Sequence, residues 1–468
     1  MLTVVRPAAA GAATFADLKV DSAGSGYTLG ASTTSPGVAA AASAAFAVAP
    51  AAATQLTFSA QPVTTTAGQT IQSVVVTVRD AAGNKVTSFV GNVTLTLGAN
   101  PTGGTLGGTL QQPVNNGVAT FGDLNITKSG AGYRLLAASG ALAASLSNAF
   151  SITAGLASQL AFTVQPASPA TAGAAITPGT GVRVTGQDQF GNTDPTFNGS
   201  VVVAIGTNNG GGILFGTKTV AAAAGVATFS TLNIDKVGSG YTLTAALTGL
   251  QGATSASFNV KAAAATQLAF TVQPAPATAG AAIPGTAGSV QVTAQDQFFN
   301  TDLAFVGSVS LAINSGPAGA GISSATVAVS PGTGVATFSS VSVDKVGVYT
   351  LNASSGSLNS TAPSVSFNVT AATATKLVFT TQPTTTVAGV SIPTVVVTAQ
   401  DPFNNTATGF TGDVTVAIGT NPGNPLGTLS GIKTVASASG GSDGIASAVS
   451  LGITTELSLP STLAARAP

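Results

Sequence analysis

A recurring phrase constrains this chain more than any other feature. It occurs at Leu56 (TQLTF), Leu160 (SQLAF), Leu268 (TQLAF) and Leu377 (TKLVF), at spacings of 104, 108 and 109 residues. A fixed period means copied units in series, and this one is close to the commonest domain size. A chain of 468 residues is too long for one ordinary core. It divides into residues 1–53, 54–157, 158–265, 266–374 and 375–468.

The unit opening at Gln159 serves as the template. Its first segment runs to Gln165 and stops at Pro166. Val182 and Val184 then alternate with Arg183 and Thr185, and Val290, Val292 and Ala294 alternate with Gln291, Thr293 and Gln295. Period-two alternation is the mark of a strand with one buried face, as in a two-layer antiparallel sandwich. A turn follows in each copy: DAAGN at Asp80, DQFGN at Asp188, DQFFN at Asp296 and DPFNN at Asp401. Asp, Gly, Asn and Pro each favour turns for a backbone reason of their own. Next come a β-branched run, SVVVAI at Ser200, and a Gly/Asn-rich loop of variable length.

The second half of the unit is the more regular. GVATF recurs with Phe121, Phe229 and Phe338 as core residues. Phe229 and Leu232 are three apart, which predicts a bulge or bend. In GYTLTA, Tyr241, Leu243 and Ala245 share a face, and Phe258 and Val260 mark a last strand. No segment carries a helical period. The expected fold is all-β: tandem immunoglobulin-like β-sandwiches of about seven strands each. Linkers of about five residues favour an extended rod. Tyr occurs at positions 27, 133, 241 and 349, once per unit. A lone Tyr opening the penultimate strand resembles the tyrosine corner of such sandwiches, which gives Tyr27, Tyr133, Tyr241 and Tyr349 a structural role.

The pattern V-x-V-T-x-x-D-x-x-G-N, then a β-branched strand, then G-V-A-T-F, then G-x-Y-T-L, resembles the bacterial Ig-like repeats of invasin/intimin type. It covers Thr54–Val369 well and both ends in part. The resemblance implies extracellular spacers and adhesins of large surface or secreted proteins, and so a bacterial surface protein serving cell adhesion or display.

The inventory of side chains argues against an enzyme. His and Cys are absent, which removes the usual nucleophile–base pairs and the common zinc sites. No phosphate-cradling Gly loop with its Lys precedes a helix. No cofactor is expected. Lys+Arg and Asp+Glu are 14 each, only 6% of residues are charged, and there is no basic stripe to hold nucleic acid. The longest apolar run, Gly37 to Ala53, is shorter than the ~20 residues of a membrane span and contains Pro50.

Two loop features are candidate contacts. Asp188, Asn192, Asp296 and Asn300 sit in turns where one carboxylate per unit is a thin offer to calcium, which takes 6–8 oxygens. The structural turn is the preferred reading. Phe190, Phe298 and Phe403 share that turn, where the first whole unit has Ala82. They either contact a partner or fold under the loop to cap their own sandwich, and the second reading is preferred because Trp is absent. Buried Phe190 and Phe298 would weaken the alternative function, a glycan- or protein-binding module acting through inter-strand loops. The partner, a surface protein or glycan, is unspecified.

The ends read as partial units. Thr14 to Val48 matches the second half of a unit, and Gly444 to Thr455 aligns with Gly225 to Lys236, with Ala448 in the place of the core Phe. The tail carries the only Glu, Glu456. No signal peptide is visible. The expectation is a monomer within a longer parent chain. Its complementary halves also allow head-to-tail assembly by strand addition.

Overall fold

The structure, a computed structural model, describes residues 3–423, 426–431, 433–435, 445–448 and 451–454. It is all-β, with no helix among the described residues.

In the template unit the strands are β1 (Gln159–Val164), β2 (Ala170–Thr171), β3 (Val182–Gln187), β4 (Ser200–Ile205), β5 (Thr219–Ala221) and β6 (Val226–Phe229). They are followed by β7 (Gly238–Tyr241, resuming at Leu243–Ala246) and β8 (Phe258–Lys261). One sheet has the order β1-β3-β6, all antiparallel. The other has the order β2-β8-β7-β4-β5, with β2 parallel to β8 and the rest antiparallel. The first sheet corresponds to the A, B and E strands of an immunoglobulin sandwich, and β4, β7 and β8 to its C, F and G strands. The interruption in β7 is local, since its counterparts Gly130–Ala138 and Gly347–Ser355 are unbroken.

The alternation read from sequence sets the two faces. Val182 and Val184 are buried while Arg183 is exposed, and Val182 lies opposite Phe229 across the ladder. The spacing from Phe229 to Leu232 resolves as a bend. The chain leaves β6 and pairs Asn233–Ile234 with Leu214–Phe215 in a small separate sheet, which keeps Phe229, Leu232 and Ile234 all in the core. Fully burying a side chain such as Phe229 contributes roughly 1.5–3 kcal/mol.

Among the described residues three separate apolar clusters lie in series, spanning Leu56 to Ile152, Leu160 to Val260, and Leu268 to Val369. No β-ladder among the described residues crosses from one unit to the next. At the start, Gly24–Tyr27 pairs with Phe46–Val48 as β7 pairs with β8, but Phe15, Leu18, Leu29 and Phe46 stay exposed. In the last unit, Lys376–Thr381, Val395–Gln400 and Ile445–Ala448 repeat the β1-β3-β6 order. The tail with Glu456, and the side chain of Ala448, lie outside the described residues.

Candidate functional site at the joint between units

The turn after β3 does more than reverse the chain. Asp188 Oδ1 accepts the backbone N–H of Phe190 (2.9 Å) and of Asn192 (3.0 Å), which closes the turn on its own side chain. Asp188 Oδ2 accepts the Asn192 side-chain amide (2.9 Å) and the N–H of Gly155 in the linker (2.9 Å). The Asn192 amide then reaches into the preceding unit. Its Nδ2 donates to Thr127 O (2.8 Å), and its Oδ1 accepts the N–H of Ser129 (2.9 Å).

The arrangement repeats. Asp296 holds Ala263 N, and Asn300 bonds Asp235 O (2.7 Å) and Val237 N (3.1 Å). Asp401 holds Ala372 N, and Asn405 bonds Asp344 O (2.7 Å) and Val346 N (3.1 Å). Asp80 holds Ala51 N, and Asn84 bonds Asp21 O (2.7 Å) and Ala23 N (2.9 Å). The Asp thus ties each linker to the unit that follows it, and the Asn ties that unit to the one before.

The aromatic of the turn also crosses the joint. A Cβ built on Gly68 would overlap the ring of Phe190, and Gly173 and Gly280 stand in the same relation to Phe298 and Phe403. These glycines have φ of 75°, 72° and 77°, a backbone that L side chains rarely adopt, so the seat needs Gly for both conformation and space. Phe298 packs against the core of the preceding unit, and so does Phe403. The sequence suggested a Phe folded beneath its own loop or one offered to an outside partner. Instead the ring lies on the neighbouring unit, because the short linker brings that surface within reach. Phe298 is half-buried and Phe190 is 37% exposed.

Electrostatics follow from these bonds. Burial pushes the Asp188 carboxyl up, but the donors Asn192, Gly155 and Phe190 outweigh it and hold it below the ordinary 3.8. Asp401 behaves in the same way. Asp80 is lowered chiefly by the Asn84 amide. Each carboxylate spends its acceptor capacity on N–H groups, a donor set unlike the several oxygens a calcium ion requires.

Several joint residues carried signals that the sequence reading passed over. Asp194 and Asp302 also tie the linker, accepting Ala157 N and Ala265 N (2.9 Å each). Lys236 Nζ donates to Phe298 O (2.6 Å), and Lys345 Nζ donates to Phe403 O (2.9 Å). The Gly seat recurs as T-A-G at Thr66, Thr171 and Thr278, and the Lys recurs in the D-K-V-G phrase at Asp235 and Asp344.

The tyrosines stand just behind the joint. Tyr133, Tyr241 and Tyr349 are fully buried, and their hydroxyls donate to Lys128 O (2.9 Å), Lys236 O (3.0 Å) and Lys345 O (2.7 Å). Tyr27 makes the same bond to Ser22 O (2.9 Å). Each ring lies beside a Phe of the last strand, with centroids 5.8–6.0 Å apart. Burial pushes the Tyr241 and Tyr349 phenols above 10.0. Phe121, Phe229 and Phe338 lie in the three unit cores.

No family model matches the chain, and no curated protein sequence matches it. Among solved structures it is similar to the Escherichia coli adhesin FdeC, at 18% identity over 69% of this chain and 99% of that one, with a TM-score of 0.32. It is also similar to surface-layer protein SbsC, domains 1–6, at 15% identity over 92% of this chain, with a TM-score of 0.20. This chain spans 55% of that one. Chicken CNTN1 domains FN1–FN3 match at 10% identity over 68% of this chain and 97% of that one, with a TM-score of 0.22. With superposition scores this low, the strand order inside each unit defines the fold. No helix of the described residues is long and apolar enough to cross a membrane.

Proposed function

We propose that this chain is a non-enzymatic, extracellular spacer array of a bacterial surface or secreted protein, serving adhesion or display. The observation that carries the reading is the repeated joint. At each boundary a turn from the following unit fixes the linker and bonds the preceding unit, so length is gained without free hinges. Reach then grows with the number of units, while each core folds on its own contacts. The absence of His and Cys leaves the common catalytic pairs without their residues. The invasin/intimin-type pattern in the sequence supports the same setting. Small-angle scattering tests the reading: an elongated monomer is expected, and a compact globule overturns it.

A second reading, binding of protein or glycan through loops, has one observation in its favour. Phe299 is 64% exposed and holds a φ of 64°, where its counterparts are Gly191 and Asn404. An aromatic kept in a left-handed turn and offered to solvent calls for a role. Screening the chain against glycans and surface proteins, beside Phe299→Ala, tests it. Binding that the variant abolishes supports it, and no binding by the parent chain removes it.

A further inference from the structure

The joints share a plan but not a parts list, and the differences are ordered along the chain. At the joint ahead of residue 54 the turn carries Ala82 in the place of the Phe, and among the described residues the side-chain hydrogen bonds that cross it are those of Asp80 and Asn84. At the joint ahead of residue 158, Phe190 reaches its Gly68 seat but remains 37% exposed, beside a cavity of about 210 Å³ lined by Thr66, Gln69 and Leu156. Lys128 is present there, yet its ammonium makes no hydrogen bond or ion pair among the described residues. At the joint ahead of residue 266 every part is in place. Phe298 is packed on the preceding core, Lys236 holds the Phe298 carbonyl, and Asp302 adds a second tie to the linker. The last joint keeps the Phe and the Lys, but Ala407 stands where Asp302 does, so the second tie is missing.

We infer that bending stiffness is graded along the array, greatest at the joint between residues 158–265 and 266–374 and least toward the first units. Two parts separate the stiff joints from the looser one before them, the ring packed on the preceding core and the Lys clasp, and the clasp is the one a single side chain supplies. Its anchoring makes this physical. Tyr241, fully buried, holds the Lys236 carbonyl, so the ammonium reaches across the joint from a backbone fixed to the core. A charge-assisted bond from an anchored donor resists bending more than a neutral one from a loose loop. Its geometry differs from that of the Asn bridge, because it grips the turn at Phe298, two residues before Asn300. The array is therefore built to flex at chosen places and to stay straight at others.

This inference rests on the turn acting as a clamp, and the experiment separates the two ideas. The chain has no Cys, so pairs of introduced cysteines can carry spin labels without background. Thr96, Ala204, Ala312 and Ala417 are exposed, equivalent positions after β3 in four successive units. Pulsed dipolar spectroscopy on the full chain, labelled at Thr96/Ala204, Ala204/Ala312 or Ala312/Ala417, reads the spread of distances across each joint. The expected result is the narrowest distribution for Ala204/Ala312 and a broader one for Thr96/Ala204. Lys236→Met keeps the aliphatic stem and the packed Phe298 ring, and should broaden Ala204/Ala312 toward Thr96/Ala204. The open fraction should rise about tenfold, equivalent to ~1.4 kcal/mol. Equal, narrow distributions at all three joints, or no broadening in Lys236→Met, overturn the gradient while leaving the clamp standing. Broad distributions at every joint overturn the clamp itself.

Discussion

The bridge made by Asn300 can be removed with a single substitution. Asn300→Ala deletes two hydrogen bonds across the joint, to Asp235 O and from Val237 N, and also the amide that orients Asp296. A typical hydrogen bond contributes ~0.5–1.5 kcal/mol net, so the two that cross the joint amount to about 1–3 kcal/mol. At ~1.4 kcal/mol per factor of ten, the joint should open about 5- to 150-fold more often. The core of neither unit is touched, so both should remain folded. Hydrogen exchange read amide by amide on the full chain is the assay. Val237 loses its acceptor and should exchange faster. Ala263 is the telling probe, because its acceptor, Asp296 Oδ2, is still present in the variant. Faster exchange at Ala263 means that the turn, the linker and the preceding unit move as one assembly. An unchanged rate at Ala263, with acceleration confined to Val237, would refute the joint as a cooperative clamp and reduce Asn300 to a local loop contact.

Three further outcomes follow from the same geometry. Because Asp80, Asp188 and Asp401 have carboxyls held below 3.8 in the folded chain, the unfolded state binds their protons first as pH falls. Their contribution is complete above that value and is lost as pH drops through the lower folded values, so the melting temperature should be flat from pH 5 to 8 and fall below about 4. Asp188→Asn should have a shallower acid limb. Tyr241→Phe removes a buried hydroxyl bonded to Lys236 O and should destabilise its unit by about 1 kcal/mol in urea unfolding, with the Ala204/Ala312 label distribution broadening as well. Chelation by EDTA should leave both the melting temperature and the label distributions unchanged, since the joint carboxylates are filled by N–H donors; a downward shift would point to a bound cation.

What could be read in advance follows a physical divide. Alternation at Val182–Val184 and the G-V-A-T-F phrase report burial within a unit, and burial leaves a periodic trace in sequence. The turn residues were equally visible, but their targets were not. Asn192 and Phe190 act on atoms about 60 residues or more upstream in another unit, Thr127 O and the Gly68 backbone, and nothing local to D-Q-F-G-N says so. A turn that only reverses the chain and a turn that also grips a neighbour have the same composition. The clue lay in comparing copies: T-A-G and D-K-V-G recur at fixed positions although neither shows the period-two alternation of a buried strand face. Their periodicity is that of the array and not of the sheet.

The division of labour at the joint bears on how such a chain can grow. The Gly seat and the Lys belong to one end of a unit, and the Asp–Phe–Asn turn belongs to the other. A unit that carries both parts, such as residues 158–265 or 266–374, brings a socket and a plug when copied in frame, and can mate with its parent on either side without compensating substitutions elsewhere. Gene length and physical length can then change together by recombination, and selection on one boundary acts on a pair of residues sitting in different copies. Making or losing the Lys clasp at a boundary would tune stiffness in the same way that adding copies tunes reach.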